Sequence, residues 1–239
     1  NGLVGSEMCI RDSAPTEEPS TTRPAPTTVP ITTTAPPPTT TAEPPPATVV
    51  ASSGFSATVR VVDEIELGAS WRPGCPVPVA ALRAIEMPHW DDQGRVLDGT
   101  LVVHRDHADA LVGVFAVLYE AGFPIHSMRP ITDFGADDGA SMVANNTSAF
   151  NCRTVGGTGT WSQHAYGGAV DINPLVNPWV RGSTADPAEG ASYVDRTTDV
   201  PGLIRPGDVV TQAFAAIGWG WGGDWSTTFD YQHFSHNGR

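Results

Sequence analysis

Trp161-Ser-Gln-His-Ala-Tyr-Gly-Gly-Ala-Val-Asp-Ile-Asn-Pro174 is the stretch on which the reading of this chain turns. It sets His164 seven residues before Asp171, with Gly167 and Gly168 between them. A glycine turn feeding the short apolar strand Ala169-Val-Asp-Ile172 can fold the two side chains together. An acid inside such an apolar run needs a partner to offset its desolvation. About 60 residues further on, Asp230-Tyr-Gln-His233 adds a carboxylate three residues before an imidazole.

Two imidazoles and one carboxylate make a three-ligand zinc set that leaves a fourth position for water, the arrangement of catalytic rather than structural sites. A carboxylate outside the set can then take the proton of a water whose pKa zinc lowers to about 7. Other readings stay open at this level. His164 and His233 could be core histidines satisfied by neighbours, and Asp171 and Asp230 ordinary turn residues. Ser162, His164 and Asp171 could form a hydrolase triad, but Ser162 lies two residues from the histidine and outside any Gly-x-Ser-x-Gly elbow.

Ser162, His164, Gly167, Ala169 and Asp171 spell SxHxxGxAxD, and Asp230, His233 and Phe234 set an acid three residues before a His-Phe pair. Both elements resemble those of the D-Ala-D-Ala carboxypeptidase and L-Ala-D-Glu endopeptidase group of zinc peptidases, which shares its fold with the signalling domain of hedgehog proteins. The similarity extends from about Trp71 to Phe234. Within it, Ser148-Ala-Phe-Asn-Cys-Arg153 and Trp221-Gly-Gly-Asp-Trp225 look like the phage-endolysin-like branch.

The resemblance implies that His164, Asp171 and His233 hold Zn2+ and that Asp230 is the general base. It also implies an arginine, at the end of the strand before the zinc segment, that stabilises the oxyanion on the scissile carbonyl. Arg129 takes that position, although its strand reads Phe123-Pro-Ile-His-Ser-Met-Arg129 where the family commonly has Ser-Gly-Tyr-Arg. Arg153 is the second candidate and is read as substrate-binding, as is Ser162, which would contact substrate or orient the site. The implied activity is hydrolysis of an amide bond in peptidoglycan stem peptides, of carboxypeptidase or endopeptidase type. The alternative is a noncatalytic, zinc-stabilised module that binds the cell wall.

Working outward, Leu101–His104 reads as a strand, and Asp106 or His107 through Tyr119 as a helix with Leu111, Val114, Phe115 and Leu118 on its buried face. Phe123–Met128 reads as a second strand, and 135–146 as a polar loop with one helical turn. Asp208–Ile217 reads as an Asp-capped helix, and 219–225 with 230–234 as a strand or hairpin. The sum is an α+β fold, a single domain with a small, mainly antiparallel sheet flanked by helices, hedgehog/D-Ala-D-Ala peptidase-like. His89, His104, His107, His126 and His236 show no paired metal spacing and are read as packing or surface residues. Trp219, Trp221 and Trp225 are read as core or site wall ahead of a sugar-stacking platform.

Residues 14–48 hold 11 of the 22 prolines and 12 threonines, with no Phe, Trp, Tyr, Leu or Met. Such a tract cannot build a core, so 14–54 reads as a disordered linker whose extended span is at most on the order of 100 Å. Residues 1–13 resemble translated sequencing-adapter sequence and are set aside as non-native, leaving the native signal or anchor not visible. The domain is then 55–239, with all seven tryptophans and a net charge of −10 out of −13 for the chain. That acidity disfavours nucleic acid as a partner, and no apolar run is long enough for a membrane span.

Cys9 falls in the excluded string, leaving Cys75 and Cys152 as a pair. A disulfide is expected if the fold brings them together, two buried thiols being the other reading. The expectation is a secreted or cell-wall-associated monomer acting on peptidoglycan or its stem peptides.

Overall fold

The structure, a computed structural model, describes residues 54–239 and the backbone of Thr48–Val50. The expectations for 1–13 and for the rest of the 14–54 tract lie outside the described residues. Strands β1 (Thr48–Val50), β2 (Ser56–Val61), β3 (Leu82–Trp90) and β4 (Val96–His104) form an antiparallel sheet in that order. The short helix α1 (Glu64–Leu67), capped by the Asp63 side chain, lies between β2 and β3. Side chains alternate between the faces of a strand. Ile85, Met87, Leu101 and Val103 therefore enter the main core, while Leu82, Ala84 and Val102 enter a second cluster with Leu67, Phe150 and Cys152. The run Leu101-Val-Val103 is apolar throughout because both faces of its strand are covered.

Helix α2 (Arg105–Glu120) starts where β4 ends, with the His104 imidazole accepting from the Asp106 amide at 3.3 Å. Its buried residues, Ala108, Leu111, Val112, Val114, Phe115 and Leu118, recur at three- and four-residue spacing. They pack against the sheet and against α4 (Val209–Ala216), whose cap is Asp208, as its sequence predicts. Burying each large apolar side chain contributes about 1.5–3 kcal/mol.

The strand expected over 123–128 is reduced to β5 (Ser127–Met128), which pairs in parallel with β6 (Asn146–Thr147). Its earlier half meets the sheet through the Ile125 amide, which donates to the Trp90 carbonyl at 2.7 Å. Between β5 and β6, the expected helical turn is α3 (Asp138–Val143), capped by Asp137.

β7 (Ala169–Asp171), β8 (Trp179–Arg181), β9 (Thr184–Asp186), β10 (Gly220–Trp221), β11 (Phe229–Asp230) and β12 (His233–Ser235) make two small antiparallel sheets, ordered β10-β12-β7 and β11-β8-β9. The described residues thus form one compact α+β domain, as expected. Cys75 and Cys152 are bridged, with Cα atoms 5.8 Å apart. The bridge ties the loop after α1 to the segment leading into Arg153.

Candidate metal centre and cleft

The turn that carries His164 is held from both ends. Ser162 Oγ accepts from the His164 amide at 3.3 Å. The turn closes on Gly167, at φ +65°, whose amide donates to the His164 carbonyl. Gly167 also gives its carbonyl to the His104 amide at 2.9 Å, docking the turn on the β4–α2 junction. A Cβ at Gly167 would stand 2.5 Å from the His104 nitrogen, and one at Gly168 would stand 2.5 Å from His236 Nδ1. The glycine pair between His164 and Asp171 is thus required by close approach.

Asp171 and His233 meet by strand register. In the β7–β12 ladder His233 lies directly opposite Asp171, and Phe234 opposite Val170. Alternation sends Val170 and Phe234 into the core and leaves the other pair on the opposite face. His233 Nδ1 is 2.9 Å from one Asp171 carboxylate oxygen, His164 Nε2 is 3.0 Å from the other, and the two ring nitrogens are 3.3 Å apart. All three residues are buried.

The remaining ring nitrogens set the tautomers. His164 Nδ1 faces the Ala149 carbonyl at 2.6 Å, and His233 Nε2 faces the main-chain oxygen of Arg239 at 3.2 Å. A main-chain oxygen can only accept, so each of these nitrogens carries its hydrogen, and a neutral ring then turns a bare lone pair toward Asp171. Two lone pairs and a carboxylate converge with no donor among them, a set that calls for a proton or a cation. Without a cation, burial opposes charge on His164, but the Asp171 carboxylate outweighs it and holds the imidazole above its usual value. Burial likewise opposes charge on Asp171, yet His164 and His233 hold its carboxyl well below the usual range. Among the described residues this is the one group of three such side chains whose ligand atoms lie close enough to share a metal ion. Imidazoles anchored on main-chain oxygens, with a carboxylate, are a donor set suited to zinc.

The group opens on a cleft of about 620 Å³ that Asp230, Arg153, Ser162, Trp161 and Trp225 also line. Asp230 is part-exposed as a residue, but its Oδ1 is buried and has no hydrogen-bond partner among the described residues. Burial pushes its carboxyl up to about 7, where a carboxyl can both take and give a proton at neutral pH. A Cβ on Gly222 would come 2.5 Å from the Asp230 carbonyl, so that glycine makes room for this strand. The Arg153 guanidinium pairs with Asp138 of α3 at 2.8 Å, while its Nε is buried without a partner among the described residues.

Arg129, expected at the scissile carbonyl, lies elsewhere. Pro130 turns the chain into 131–134, and Asp133, one turn on, captures the guanidinium at 2.9 Å over the Phe134 ring. It lines a separate crevice with Leu67 and Ile131 and not the cleft. Of the two arginine candidates, Arg153 is the one that shares the cleft with His164, Asp171, Asp230 and His233. Trp219 and Trp221 are core residues, and Trp225 is a cleft wall whose ring stands 5.6 Å from that of His233.

Sequence reading missed the β8–β9 hairpin, which adds Trp179, Arg181 and Asp186 to the cleft, and it missed Gln232. The available signal was Gly182-Ser183 between two three-residue runs, a two-residue hairpin turn with Gly182 at φ +60°.

Residues 156–236, about a third of the chain, match the family model described as D-alanyl-D-alanine carboxypeptidase. The resemblance carried by the two motifs is borne out over the stretch that holds them, and the matched family is one of peptidases. No curated protein and no solved structure matches the chain.

Proposed function

We propose that the chain is a zinc-dependent peptidase that hydrolyses an amide bond in peptidoglycan stem peptides, of D-Ala-D-Ala carboxypeptidase or L-Ala-D-Glu endopeptidase type. The observation that carries this reading is the convergence of the His164, Asp171 and His233 lone pairs in a cleft that also holds Asp230 and Arg153. His164 Nε2, an Asp171 oxygen and His233 Nδ1 would hold the ion. When bound, Zn2+ supplies Lewis acidity, which lowers the pKa of water to about 7 and polarises a carbonyl.

The protein's own groups do the rest. The main-chain oxygens of Ala149 and Arg239 keep both imidazoles in the ligating tautomer. Asp230 takes the proton of the attacking water and returns one to the leaving amine, a role suited to a buried carboxyl raised toward neutrality. Arg153, steadied by Asp138, offers its positive charge where negative charge develops on the carbonyl oxygen. Ser162 orients the His164 turn. A noncatalytic wall-binding module would leave the unpartnered Asp230 oxygen, a costly feature of a buried site, without a purpose.

The disulfide suits an oxidising, extracellular location, and a Thr/Pro spacer would suit a protein held at the cell surface. Mass spectrometry of stem peptides after incubation with the protein tests the reading. Chelator-blocked loss of terminal D-Ala identifies a carboxypeptidase, and cleavage after L-Ala an endopeptidase. Cleavage of neither bond by zinc-loaded protein would refute both.

A further inference from the structure

Trp179 and Arg181 stand two residues apart on β8, so both side chains leave the same face of the strand, and both line the cleft. Trp179 lies opposite Asp230 in the β8–β11 ladder, which sets this wall beside the proposed base. The Arg181 guanidinium rests over the Trp179 ring, 4.2 Å from its centroid. Its ionic partner is Asp186, diagonal to it across the hairpin, at 3.6 Å, with both side chains nearly half exposed. A pair that long and that exposed is weak.

Arg153 contrasts with it, being held by Asp138 at 2.8 Å with both side chains about a third exposed. The stacked ring limits the freedom of the Arg181 guanidinium, so less is lost when it binds an anion. Trp179 Nε1, which can only donate, is buried with no hydrogen-bond partner among the described residues. That nitrogen is shut off from the cleft, so the group on this wall that complements a carboxylate is the weakly paired, ring-stacked Arg181 cation.

We propose that the Trp179–Arg181 wall reads a carboxylate of the substrate peptide, with Arg181 exchanging Asp186 for it. The inference rests on the peptidase reading above and makes Arg181 its specificity-determining residue. The carboxylate is either the free chain terminus of a carboxypeptidase substrate or that of an acidic residue within an endopeptidase substrate; the chemistry is shared.

Two matched pairs of stem peptides distinguish the sources: free C-terminus against C-terminal amide, and D-Glu against D-isoglutamine. Hydrolysis is followed in the zinc-loaded protein, and equilibrium binding is followed by calorimetry in the Asp230→Asn protein, where the peptide is expected to stay intact. In one pair the carboxylate form is expected to be preferred by roughly 10- to 100-fold, the scale of a charge-assisted hydrogen bond. Arg181→Gln should abolish that preference through KM, with kcat changed less than about threefold on this scale, and Arg181→Lys should restore part of it. Asp186→Asn, which frees the guanidinium, should lower KM for the carboxylate form, an effect that a purely structural role would not produce.

Hydrolysis with no carboxylate preference, or with a preference that Arg181→Gln leaves intact, overturns this inference and spares the peptidase reading. Arg181-dependent carboxylate binding without hydrolysis of any peptide upholds the inference and overturns the peptidase reading. Failure to bind or cleave any of the peptides overturns both.

Discussion

His164 and His233 each anchor one ring nitrogen on a main-chain oxygen and turn the other toward Asp171. Under the proposed mechanism the ligands and the base are separable. His164→Ala should lose bound zinc and activity together, whereas Asp230→Asn should keep the metal and lose about 10²–10⁴-fold in turnover. Metal content and rate measured on both proteins check this. These residues were legible because their chemistry is local, a two-histidine, two-acid pattern within two short motifs. The choice between Arg129 and Arg153 was not, because it depends on which partner captures each guanidinium, Asp133 in one case and Asp138 in the other.

His89 carries a separate residue-scale prediction. Burial holds its imidazole below the ordinary value of 6.5, so unfolding takes up a proton. The stability it contributes is fully present above 6.5 and is lost as pH falls toward the folded value. The wild type should therefore lose more stability between pH 7 and pH 5 than His89→Gln, measured as thermal midpoints in the presence of chelator. Parallel profiles would contradict it.

At the scale of elements, the site depends on joints. α2 and α4 were readable because their apolar spacing and their lengths make a periodic signal, and β7 because the apolar run 169–172 follows a glycine turn, whereas β8 and β9 are three residues each and alternate too briefly to show one. β3 escaped notice because Arg83, Glu86 and His89 interrupt its apolar positions. The joint between the His164 turn and the β4–α2 junction is the close approach of Gly167 to His104. Gly167→Ala should cost about 1–3 kcal/mol from its left-handed backbone alone, with a further penalty for the contact, and should weaken zinc binding as the turn shifts. Chemical denaturation and a zinc-affinity titration measure the two effects, and a wild-type zinc affinity would show that the joint does not position the ligand.

Across the whole molecule, the Cys75–Cys152 bridge closes a loop of 77 residues and ties the second hydrophobic cluster to the segment that delivers Arg153. Loss of both cysteines, as Cys75→Ser with Cys152→Ser, should cost about 2–5 kcal/mol, read by denaturant unfolding, and alkylation of the unreduced, unfolded protein should label neither residue. The pairing was legible by elimination, but the packing around it was not, since that needed the fold. Among the described residues no helix is long and apolar enough to cross a membrane.

The most direct measurement strips the protein of metal with a chelator and titrates zinc back while following hydrolysis of a stem peptide. One equivalent of zinc should restore full activity to the wild type and none to His164→Ala. Full activity in the metal-free protein, or stoichiometric zinc binding without hydrolysis of any stem peptide, would contradict a catalytic zinc centre at His164, Asp171 and His233.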